Sequence, residues 1–129
     1  MANYYASART NYFRVKDEPT FTEWAENRGV NIIRDAEQRF GLLPNDDNNG
    51  SFPNHDLDTE EEIDFMAELS EHLADGSVAI MMEAGTEKLR YINGYAEAIN
   101  NKGDRVVLDL SNIYELAKTL GTEITFCEY

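Results

Sequence analysis

Only one cysteine, Cys127, occurs in 129 residues, so an intramolecular disulfide is excluded and a reducing compartment fits the chain best. No apolar run approaches the roughly 20 residues that a membrane-spanning helix needs. The opening Met-Ala-Asn-Tyr-Tyr-Ala holds no apolar signal-type stretch. The expectation is a cytoplasmic protein without membrane contact. Basic residues are scarce as well: 11 Lys and Arg stand against 25 Asp and Glu, for a net charge of −14. Neutralising phosphates takes clustered cations. Here only Arg9, Arg14 and Lys16 approach a cluster, and Asp17 and Glu18 follow them at once. Direct nucleic-acid binding is therefore not expected. Nor does the chain show a nucleophile–His–acid constellation or a Gly-rich phosphate loop. The reading is a protein that is not an enzyme and carries no cofactor.

What is present is a globular composition: 42% hydrophobic and 11% aromatic residues, too rich in rings for a disordered acidic tail. The length suits one domain over residues 1–129. Residues 10–16 are β-rich and predict a strand. Asp17-Glu18-Pro19 opens a helix whose Phe21, Trp24 and Ala25 form the buried stripe, and Gly29 ends it. Residues 30–35 predict a second strand, and residues 41–58 read as a loop. Thr59 and Glu62 match a capping box, which predicts a helix over 60–74 closed by Asp75-Gly76. Residues 78–83, 88–99 and 105–110 predict three strands, with turns at 84–86 and 100–104. Ser111 caps a short helix with Ile113, Leu116, Ala117 and Leu120 on one face. Residues 123–128 return as a final strand, burying Cys127. The order βαβ–loop–α–βββ–α–β implies an α+β fold: a mostly antiparallel sheet of five to six strands with three helices.

The strongest local signal is an absence combined with an excess. Residues 40–87 contain no Lys or Arg, yet hold 13 of the 25 carboxylates. Within the acidic loop–helix segment 41–75, Glu61, Asp64, Glu68, Glu71 and Asp75 are spaced 3, 4, 3 and 4, which predicts one stripe on the helix. At 1.5 Å per residue the stripe would run roughly 21 Å, with a charge about every 5 Å, sparser than the roughly 3.4 Å along one DNA strand but of the same order. Asp46, Asp47, Asp56 and Asp58 would extend the footprint. Like charges at i, i+4 weaken a helix, and no local Lys relieves them. One reading is a solvated outer face; the other is a surface offered to a basic groove.

Two metal readings compete. Asn45 to Asp56 overlays an EF-hand loop, with Asn45, Asp47 and Asn49 at positions 1, 3 and 5 and Gly50 at 6. Asp56 falls where a bidentate Glu is required, and Pro44 blocks an entering helix. His72 beside Glu68 and Glu71 gives a second possible ligand set, without another His on the helix. The alternatives to a non-enzymatic binder are thus a small Ca- or Mg-dependent protein or enzyme using the Asn45–Asp58 loop, and an acidic accessory domain for protein interaction.

A short, acidic, cysteine-poor α+β chain with a carboxylate-studded helix resembles the small anti-defence proteins of phages and plasmids, the anti-CRISPR and anti-restriction inhibitors. The opening Asn3-Tyr4-Tyr5-Ala6-Ser7-Ala8-Arg9-Thr10-Asn11-Tyr12-Phe13 is similar to the start of proteins carried by such elements. The resemblance implies stoichiometric inhibition by a monomer or homodimer. The partner would be a basic nucleic-acid-binding protein, a CRISPR effector subunit or a restriction enzyme, contacted through an acidic helix face that imitates phosphates.

Overall fold

The computed structural model describes residues 4–45, 50–56, 58–87 and 91–127. The fold is α+β, with six strands and three helices among the described residues. Strands β1 (Tyr4–Thr10), β4 (Ala79–Glu87), β5 (Tyr91–Ile99) and β6 (Arg105–Asp109) form one antiparallel sheet in the order β1-β4-β5-β6. Strands β2 (Asn31–Arg34) and β3 (Phe40–Leu43) form a separate hairpin. Helices α1 (Glu18–Asn27), α2 (Phe65–Ser70) and α3 (Asn112–Ala117) complete the set.

Helix α1 starts where its sequence says. The Asp17 carboxylate accepts from the Thr20 amide, Pro19 occupies the first turn, and Gly29 leaves at φ 71°. Phe21 and Ala25 are buried, and Phe13, Trp24 and Phe40 pack their rings around Phe21. In β4 the side chains alternate, with Ala79 and Met81 buried while Met82 is exposed. Ile99, opposite Ala79, shares the inner face. The core therefore lies on one side of the large sheet, where Phe21, Leu42, Leu69 and Leu73 meet it. Thr10 joins the two sheets: its hydroxyl donates to the Asn11 carbonyl and accepts from the Leu42 amide, both at 2.8 Å.

Several boundaries differ from expectation. The first strand precedes residues 10–16, because a seven-residue ladder with β4 holds Tyr4–Thr10 extended despite its Ala and Ser content. Phe13 and Val15 make only isolated bridges. Phe40–Leu43 is a strand, although residues 41–43 are expected to begin the 41–58 loop. Gly41 permits it, since a Cβ there would meet Ile33 at 3.1 Å and the Asn11 carbonyl oxygen at 3.2 Å. The turn expected at 84–86 is instead strand, and β4 continues to Glu87. The final strand over 123–128 does not form among the described residues, and Cys127 is exposed rather than buried. Its amide donates to the Tyr114 hydroxyl at 2.7 Å. Among the described residues no helix is long and apolar enough to cross a membrane.

Candidate functional site

The expected helix over 60–74 contracts to six residues, Phe65–Ser70. The capping box at Thr59 and Glu62 is not the start. Glu60 sits at φ 60° and interrupts any helix, and Asp64 is the N-cap, accepting from the Ala67 amide at 3.1 Å. Six residues rise only about 9 Å, so the five-carboxylate stripe of 21 Å is not realised. Of its members only Glu68 lies within the helix. Asp64 and Glu71 cap its ends, Glu61 precedes it, and Asp75 follows in a turn.

Nor is the acidic segment without cations: distant parts of the chain supply them. Arg28, at the C-cap of α1, sends its guanidinium to two carboxylates. Its Nε and Nη2 donate to the Glu68 Oε1 and Oε2 at 2.8 and 2.9 Å, and its Nη1 donates to the Asp56 Oδ2 at 2.7 Å. Trp24 Nε1 adds a bond to the Glu68 Oε1 at 2.9 Å. The Arg28 side chain is only 17% exposed, so water screens these pairs weakly. Burial pushes the Glu68 carboxyl up, but the bonds from Arg28 and Trp24 outweigh it and leave the group below its ordinary range. The Arg28 bond holds Asp56 lower still, helped by the Thr59 and Asp58 amides that its other oxygen accepts.

Asp64 has a second role. Arg105 of β6 grips it with Nη2 to Oδ1 at 2.7 Å and Nη1 to Oδ2 at 2.9 Å, and lies 3.6 Å from Glu97. The Arg105 bond, against some burial, keeps Asp64 below the usual carboxylate range. Asp75 accepts a hydrogen bond from the Asn101 side chain. The structure thus divides the expected contact set. Asp56, Asp64 and Glu68 are tied into the fold. Asp58, Glu61 and Glu71 are exposed and form no ion pair among the described residues, and Glu60 and Glu62 join them. Asp46 and Asp47 lie outside the described residues.

His72 is not set up as a ligand. Its ring packs against Trp24 at 5.0 Å and Phe21 at 6.0 Å, and burial pulls its pKa below the ordinary value. A column of rings continues from Trp24 through Phe65 to Phe52, at centroid spacings of 5.1 and 5.0 Å. Among the described residues no three His, Cys, Asp or Glu side chains converge on a metal-sized site. Of the EF-hand overlay, Asp56 is turned to Arg28 and the central positions lie outside the described residues.

An open cleft of about 620 Å³ runs between the inner face of the sheet and residues 51–66, with Phe52, Asp64, Glu83, Tyr95, Glu97 and Arg105 among its walls. Burial, then the charges of Glu83 and Glu97, push the Tyr95 hydroxyl up to about 12, so it remains a donor throughout the physiological range. Reading the chain linearly misses Arg28, Trp24 and Arg105. No local pattern marks a cation 40 residues away from its carboxylate. Comparison of the chain with family models, curated proteins and solved structures yields no match.

Proposed function

We propose that the protein is a non-catalytic inhibitor that docks on the cationic surface of a nucleic-acid-processing protein, a CRISPR effector subunit or a restriction enzyme, and keeps nucleic acid from it. The observation that supports this reading is where the charge remains. Arg28, Arg34, Arg39 and Arg105 are spent on internal ion pairs. The turn carrying Asp58, Glu60, Glu61 and Glu62, together with Glu71, stays exposed without a cation among the described residues. Contact therefore moves from a helix stripe to this turn, with Arg28 and the carboxylates it binds acting as its support. Repulsion within a −14 chain is relieved when a basic surface approaches. Association should be fast and weakened by salt.

The test is a nuclease assay over a panel of CRISPR effectors and restriction endonucleases, with increasing amounts of the protein. Inhibition of at least one member is expected. The triple variant Glu60→Lys, Glu61→Lys, Glu62→Lys should lose it while its circular dichroism spectrum is unchanged. Full inhibition by that folded variant, or no inhibition across the panel, would sink the proposal. Binding that withstands competitor duplex or guide RNA would point to the accessory-domain alternative.

A further inference from the structure

We infer that β6 is the interface of a symmetric dimer, its open edge pairing antiparallel with the same edge of a second copy about a two-fold axis at Val107. The strand is the last of the sheet and has β5 on one side only. The Leu110 amide donates to the Gly94 carbonyl at 2.9 Å, which fixes the alternation of the ladder. Gly94 with Leu110, Ala96 with Leu108 and Ala98 with Val106 are then the bonded pairs. The N–H and C=O groups of Arg105, Val107 and Asp109 consequently turn away from β5 to the open edge. Asn112 Oδ1 accepts from the Asp109 amide at 2.7 Å, and among the described residues the edge groups of Arg105 and Val107 have no partner.

Edge strands are protected by charged side chains, proline, a bulge or a cover; β6 carries charge only at its two ends, Arg105 and Asp109, and has no lysine, proline or bulge between them. Its centre is apolar on both faces of the sheet: Val106 is 70% exposed, Val107 57% and Leu108 60%. Such a strand left in water is a template for pairing, and the occupant follows from its own sequence, Arg105-Val106-Val107-Leu108-Asp109. Antiparallel to itself about Val107, it sets Arg105 against Asp109 of the partner subunit and Val106 against Leu108 of the partner subunit. All five positions are paired, and each charge meets its opposite. Sliding the copies in either direction shortens the overlap and loses both charge matches. A centre on Arg105 or Asp109 would place like charge on like.

In the matched register the two Val107 residues exchange a pair of backbone bonds, and each Arg105 amide gains the Asp109 carbonyl of the partner subunit. The Asp109 amide joins only if Asn112 releases it. The Arg105 guanidinium keeps its hold on Asp64, so the charge match acts by proximity. The result is one continuous sheet through both protomers, an isologous contact of the kind two-fold dimers use. This interface is independent of the acidic turn, and its salt dependence has the opposite sign. Two copies of charge −14 repel, so raising ionic strength from about 0.1 M to about 1 M shortens the reach of that repulsion and tightens the dimer.

Sedimentation velocity over a dilution series tests this. The mass should rise from 14.7 kDa to twice that value with concentration, and at lower concentration when salt is added. Val107→Pro removes an N–H that points away from β5, so the protomer's own ladder survives and the dimer is lost. Val107→Lys, a charge on the edge that spares the backbone, serves as a second variant should the proline disturb folding. A 14.7 kDa species at every concentration, or a dimer that persists unchanged in the folded variants, would overturn the assignment.

Discussion

The stretch from Phe13 to Ile99 and the stretch from Arg105 to Cys127 follow different physical rules. Among the described residues, every member of the hydrophobic core belongs to the first. In the second, none of the described residues is buried, although it contains Val106, Val107, Leu108, Ile113, Leu116 and Phe126. The second stretch is the more apolar of the two, so what sets them apart is whether layers exist to cover them. Helices α1 and α2 and the β2–β3 hairpin cover the inner face of the sheet at Ala79, Met81 and Ile99. Over β6 and α3 the described residues form no such layer: the Phe126 ring packs on Tyr114 at 4.7 Å and the Cys127 amide donates to the Tyr114 hydroxyl, without burying either element. An amphipathic pattern thus supplies the means of burial, and the partner layer decides whether burial occurs.

The comparison breaks most sharply at Leu69, which is fully buried against the sheet. Leu69→Ala removes its transfer free energy and leaves a cavity, at an expected cost of about 2–5 kcal/mol. Urea unfolding followed by circular dichroism measures it. A loss under about 1 kcal/mol would mean that the first stretch is no better packed than the second.

Arg28 should come next. Arg28→Ala leaves the partly exposed carboxylates of Glu68 and Asp56 without their cation, and the loss at Glu68 alone should cost about 1–2 kcal/mol. Lysine should not restore it, since a point charge cannot make the forked contact with Glu68 and reach Asp56 as well. Acid provides the readout specific to this network. The carboxyls of Asp56 and Glu68 lie below their unfolded values, so in the range between the two the folded chain binds fewer protons. Their contribution is complete above about pH 5, beyond the unfolded values of both carboxyls, and is lost as pH falls through the lowered folded values. The wild type should therefore lose stability more steeply on acidification than Arg28→Ala. Parallel pH profiles would show that the ion pairs carry no stability.

These residues also show how much of the molecule the linear sequence discloses. Helix α1 was legible down to its cap, because Asp17, Pro19, Phe21, Ala25 and Gly29 act within one or two turns of each other. The α+β class followed from the element order, in which an uninterrupted run of three strands, β4–β6, lies between helical segments. The acidic site was not legible. Periodicity placed Glu61 to Asp75 on one helix, but Glu60 at positive φ and the Asp64 cap cut that helix short, and two of its five carboxylates, Glu68 and Asp64, were claimed by Arg28 and Arg105 across the fold. Spacing reports which residues share a face if a helix forms. It cannot report a partner 40 positions away. β3 was missed for a related reason: Phe40-Gly41-Leu42-Leu43 is a strand only because Thr10, Asn11 and Ile33 close around it.

The smallest expected effect lies at Leu116. Its side chain is 65% exposed on α3, a helix with no buried residue. Leu116→Ala exchanges one good helix former for another and opens no cavity. Stability measured at low protein concentration, where β6 pairing is absent, should change by no more than about 0.5 kcal/mol. The same substitution chemistry at Leu69 and Leu116 then yields two very different costs, and the difference isolates the covering layer as the cause. A loss at Leu116 approaching that at Leu69 would show that α3 is covered in solution, and the contrast between the two stretches would fail.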